Sequence, residues 1–106
     1  MDNTMNWYVV RVVLHDATHW TEYSNLHEWM QGVGFGRMLV DDATGAPYHM
    51  PWAEYFISTL ASAEEVLQLA EAQAAKTGRR HGVMVTRTTF ITWRGLDLVV
   101  AQSKVG

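Results

Sequence analysis

The chain has 106 residues, 48% of them apolar and 18% charged, which is the composition of one folded domain and excludes a disordered segment. Eight Lys and Arg against eleven Asp and Glu leave a formal charge of −3, so a general electrostatic binder of RNA or DNA is excluded and only a local basic patch remains open. There is no cysteine, which removes disulfides, thiol nucleophiles and zinc-thiolate sites and makes a reducing cytoplasm the natural setting.

Met1 to Asn6 is polar and lacks the basic and apolar regions of a signal peptide. Trp7 to Leu14 is the longest apolar run, is interrupted by Arg11, and falls far short of the roughly 20 residues that span a bilayer. That run reads as a first strand. Tyr8, Val10, Val12 and Leu14 take one face and Trp7, Val9, Arg11 and Val13 the other, so both faces are mostly apolar and the strand belongs in the middle of its sheet.

Thr18 or Asp16 can cap a helix that runs to about Gly32, with Trp20, Tyr23, His27 and Met30 at helical spacing and Leu26, Trp29 and Val33 widening the stripe. Phe35 to Val40 reads as a short second strand, and Asp41 to Pro47 as a turn. Tyr48 to Leu60 is the third strand, with Pro51 at its start. Ser62 and Glu65 form a capping box that opens a second helix, whose buried stripe is Val66, Leu69, Ala70 and Ala74 and which stops at Gly78. Val83 to Trp93 is the fourth strand, and Leu96 to Gln102 an additional C-terminal one.

This order predicts a single α+β domain over residues 1–106, of ferredoxin-like β-α-β-β-α-β plan, with its core at about 7–94 and a tail at 95–106. The simplest arrangement is an antiparallel sheet of strand order 4-1-3-2 with both helices on one face. Following chain direction, one end of that sheet collects His15, Asp16 and His19; Asp41 and Asp42; His49; and Arg79, Arg80 and His81. The first strand lies between the fourth and the third, so His15 is expected between His81 and His49.

Two imidazoles flanking a phosphodiester can act as general base and general acid in RNA cleavage, with no metal and no cofactor. His15, Asp16, His19 and His81 are the candidate catalytic residues on this reading, and Arg79 and Arg80 the candidate phosphate-binding cations. Taken singly, each histidine is more simply a polar loop residue. Arg79 and Arg80 also suit the dipole at a helix C-terminus. A metal site is the weaker alternative, because His15 and His19 do not share a helical face and no His-Glu-x-x-His occurs. Trp7, Trp20 and Trp29 fall on apolar stripes and are expected in the core; Trp52 and Trp93 are expected to be more exposed; His27 is expected to be partly buried and hydrogen-bonded.

The chain resembles the GhoS-type antitoxin family over about residues 8–93. Tyr8-Val9-Val10, Leu26, Met30, Gly34-Phe35, the Asp41-Asp42 and Gly45-Ala46-Pro47 turn, Phe56-Ile57, Leu60 to Glu65 and Leu69 carry the resemblance. It implies a ferredoxin-like fold and, for the family's named member, an endoribonuclease that silences a membrane toxin by cutting its messenger RNA. No catalytic residue carries over from it. The leading expectation is thus a cytoplasmic GhoS-like protein that cleaves RNA. The alternative is a non-catalytic interaction module, of phage or bacterial type, that forms a homodimer through a sheet edge or the C-terminal strand.

Overall fold

Alternation along the first strand sorts the molecule into a covered face and an open one. The computed structural model describes residues 5–100. β1 (Asn6–Leu14) is the central strand of a three-stranded antiparallel sheet, between β4 (Glu54–Thr59) and β5 (His81–Thr88). Tyr8, Val10, Val12 and Leu14 point to one side and are buried together with Tyr55. Onto that side α1 (Trp20–Gly32) lays Leu26 and Met30, and α2 (Ala63–Ala75) lays Val66, Ala70 and Ala74. Both helices therefore cover the same face, and each large apolar side chain buried there contributes about 1.5–3 kcal/mol. The other face, built from Trp7, Val9, Arg11 and Val13 with Phe56 and Met84 beside them, carries no helix.

A second, smaller sheet holds β2 (Met38–Val40) and β3 (Pro47–His49) as an antiparallel pair. The sequence predicts one four-stranded sheet, but the described residues form two sheets. The expected third strand, Tyr48 to Leu60, is broken at Pro51 to Ala53. Pro51 accepts a hydrogen bond from the Glu54 amide at 3.0 Å, and Ala53 adopts a φ of +73°, which together make a turn where a continuous strand was expected. β3 thereby leaves the main sheet and takes β2 with it. One reciprocal pair of bonds, between Gly36 and Phe56 at 2.7 and 2.9 Å, ties the small sheet back to β4.

The C-terminal segment lies along the free edge of β3. The His49 amide donates to the Asp97 carbonyl at 2.8 Å and the Val99 amide to Pro47 at 2.9 Å, with Tyr48 facing Leu98. The predicted C-terminal strand is thus reduced, among the described residues, to a single bridge at Leu98 against β3; residues 101 and 102 lie outside the described residues. β5 ends at Thr88 and not at Trp93, because the Thr88 hydroxyl folds onto the Phe90 backbone and turns the chain.

The helix ends differ in how they follow the sequence. Ser62 and Glu65 cap α2 reciprocally, at 2.9 and 3.2 Å. α1 begins at Trp20, with Glu22 accepting from the Thr18 and His19 amides, while Asp16 occupies a left-handed turn at φ +61° and caps nothing. Trp20 is 70% exposed and Trp7 is also exposed, so neither belongs to the core that its spacing suggested. Trp29 is half-buried beside the Lys76 ammonium.

On α2 the buried stripe contains Gln73 in place of Leu69. Gln73 is only 5% exposed, its amide nitrogen reaches Leu69 O at 3.5 Å, and its Oε1 has no partner among the described residues. An orphaned buried oxygen costs about 1–3 kcal/mol. Gln73→Met keeps the shape and removes that oxygen, and is expected to raise stability by about 1 kcal/mol, or roughly 4–8 °C in Tm. A Tm that falls in calorimetry would show that the amide is satisfied.

Candidate functional site

Chain direction brings three of the sequence-derived candidates to one end of the main sheet. Leu14 pairs with His81, and the His15 amide donates to the Arg80 carbonyl at 2.8 Å, so His15, Arg80 and His81 are neighbours along the backbone. Their side chains part company. Facing residues of an antiparallel pair project to the same side, so His81 shares the helix-covered side with Leu14, and its Nδ1 meets the Arg79 carbonyl at 3.0 Å. The His15 Nε2 lies 3.9 Å from where a Cβ on Gly82 would stand, which puts that ring on the open side.

Among the remaining members of this rim, Arg79 is held by a structural ion pair. Arg79 Nε pairs with Glu22 Oε1 at 2.5 Å, and Glu22 also ties the Thr18 and His19 amides. The Arg79 hydrogen bond, followed by those two amides, holds the Glu22 carboxyl below its usual range. His19 precedes the first turn of α1 and is exposed, as is Asp16. Arg80 is exposed and its side chain has no ion pair or hydrogen bond among the described residues.

Two groups expected here are elsewhere. His49 departs with β3, so His15 has His81 beside it but not His49. Asp41 and Asp42, at the hairpin tip, border a recess with Phe90 and Trp93. That segment follows the Trp7–Thr88 end of the sheet, opposite to His15.

A second polar cluster, which the sequence did not single out, lies where α1, β2 and the Pro51–Ala53 turn meet. Tyr55 is fully buried, and its oxygen is 2.5 Å from His27 Nδ1. Burial pushes the Tyr55 hydroxyl above the usual phenol range, so it keeps its proton. It has no other acceptor among the described residues; the hydroxyl therefore donates to Nδ1, and the imidazole proton resides on Nε2. That nitrogen is buried and without a partner, so His27 is only half satisfied. Burial first, then the nearby Arg37 charge, lowers the His27 pKa to about 4.

Arg37 completes the cluster. Its Nη1 donates to the Pro51 and Glu54 carbonyls at 2.8 and 2.6 Å and its Nη2 to Met50 at 3.3 Å, while the guanidinium carbon lies 5.6 Å from both the Trp52 and Tyr55 ring centres. Trp52 meets the His27 ring edge-to-face at 4.5 Å and is 54% exposed. These groups line an open cleft of about 640 Å³, walled also by Phe35 and Met38. The signal for it was the solitary Arg37 set between Gly36 and an apolar strand, at a position where a charge needs a local reason to be buried.

No group of three or more His, Asp or Glu that could hold a metal ion occurs among the described residues, and no helix among them is long and apolar enough to cross a membrane. No family model and no curated protein sequence matches the chain. Neither comparison identifies a GhoS-type antitoxin.

Proposed function

We propose that the protein is a non-catalytic interaction module that pairs with a second copy of itself through the outer edge of β5 and the open face beside it. β5 carries the reading: it runs for eight residues with β1 on one side and no strand on the other among the described residues. It contains neither a proline nor a left-handed residue that would blunt it. A long edge of unpaired amides and carbonyls is a ready template for another strand. Met84, 60% exposed, stands on the open face next to that edge, with Val13 and Trp7 further along β1. Edge pairing would continue this apolar face across two copies, as an isologous contact requires. The −3 formal charge favours a protein partner over a polyanion.

The ferredoxin-like plan belongs to the same reading. The isolated Gly36–Phe56 bridge, two residues ahead of β2, supports an order β5-β1-β4-β2 interrupted at the Pro51–Ala53 turn. A cytoplasmic setting fits the cysteine-free composition.

A second reading, metal-free RNA cleavage in the manner of the GhoS-type antitoxins, rests on the backbone neighbourhood of His15, Arg80 and His81 at one sheet end, with the two rings on opposite sides. One set of measurements separates the two. Sedimentation of the pure chain is expected to give twice 12.0 kDa, and Met84→Lys with Thr86→Lys on the open face is expected to return it to 12.0 kDa without lowering Tm. The same preparation is expected to leave mixed RNA intact in chelator. A monomer at sub-millimolar concentration overturns the module. Cleavage that disappears in His15→Ala or His81→Ala at unchanged Tm establishes the nuclease in its place.

A further inference from the structure

Arg37 is a half-buried cation with no ion pair among the described residues. Among the described residues no carboxylate comes within ion-pair distance of it; Glu54 presents its carboxylate to Arg11 at 4.0 Å and reaches Arg37 through a backbone carbonyl and a longer-range attraction. Carbonyls satisfy hydrogen bonds but leave a formal charge in place, and a half-buried cation without a counter-ion is costly. No Asp or Glu lines the cleft that Arg37 borders. Of its five N–H groups three are engaged, and one on Nε and one on Nη2 remain.

We propose that this cleft binds a small planar anion, an aromatic ring bearing a carboxylate or phosphate, with the charge paired to Arg37 and the ring laid against Trp52. The two free N–H groups offer the fork that such oxyanions match. Trp52 offers more than half of its surface, and Phe35 and Met38 add apolar wall beside the polar Gln31 and His49, which suits a ring better than a hydrated inorganic ion. His27 also borders the cleft, although its Nε2 is itself buried and out of reach of a ligand there. A cation without an ion pair, with two N–H groups to spare, and an indole wall with no acidic lining form a consistent set, and it is independent of the β5 edge.

Arg37 also holds the 50–54 turn, so the test varies its surroundings. Benzoate and phenyl phosphate are titrated into the full chain by calorimetry while the indole N–H signals are followed by NMR, with benzamide as the neutral isostere. Saturable binding of at least one anion is expected, with the Trp52 indole signal moving and benzamide about tenfold or more weaker. Gln31→Glu places a carboxylate at the cleft from an exposed helix position and is expected to weaken the anion about tenfold at unchanged Tm. Failure of both anions to saturate, equal binding of benzamide, or an affinity that Gln31→Glu leaves unchanged would each overturn the site.

Discussion

Replacing His27 and Tyr55 together by Phe is expected to remove most of the acid sensitivity that the lowered His27 pKa gives this fold between about pH 7.5 and pH 5. The folded His27 takes up a proton only near pH 4, whereas in the unfolded chain it does so near 6.5. Between those values the unfolded state holds the extra proton, so stability falls as pH falls from 6.5, and the loss is complete below 4. By pH 5 it amounts to about 2 kcal/mol. Glu22 and Glu65, both held below their usual range, add their own loss only at lower pH, where carboxylates protonate. Urea unfolding at the two pH values therefore isolates the imidazole. At neutral pH either single substitution strands a buried partner, the Tyr55 hydroxyl in His27→Phe or Nδ1 in Tyr55→Phe, and costs about 1–3 kcal/mol. The double variant removes both ends and is expected to be more stable than the sum of the singles implies. A double variant as acid-sensitive as the parent would refute the assignment.

Arg37→Met is expected to cost about 3 kcal/mol, a fall of 12 °C or more in Tm. Three carbonyls of the Met50–Glu54 turn lose their donor at once, and the Trp52 and Tyr55 rings lose the cation between them. Hydrogen bonds to a charged donor are stronger than neutral ones, although carbonyls near the surface recover water and recoup part of the loss. Arg37→Lys is expected to recover less than half, because one ammonium cannot span two carbonyls through one nitrogen and a third through another while stacking flat. Thermal melts of the two variants check this directly. A loss below about 1 kcal/mol for Arg37→Met would mean that Ala53 and Pro51 hold the turn unaided.

Local rules were legible where one period or one cap decides the outcome. β1 alternates as its residues demand, and Ser62 with Glu65 caps α2 at the predicted place. The third strand was misread because Pro51 is compatible with both a strand start and a turn, and only the left-handed Ala53, which no residue type announces, decides for the turn. Trp20 and Leu69 lie on the expected helical stripes yet face solvent, since a narrow sheet of three strands offers less surface than two thirteen-residue helices could cover. The same limit applied to the sites. Chain direction correctly joined His15 to Arg80 and His81 along the backbone, but strand register, which sets the side each ring takes, is not written in spacing. The His27, Tyr55 and Arg37 cluster spans residues 28 and 18 apart in sequence, so only the folded contacts bring it into view.

The detached hairpin has a bearing on how the chain comes together during synthesis. The main sheet can close as soon as β5 emerges, because β4 and β1 already precede it. β3, made some thirty residues earlier, must wait for residues 97–99 before its second edge is filled. The order of synthesis thus lets the large body close first, with the small sheet completed afterwards by its own longest-range pairing, Tyr48 with Leu98.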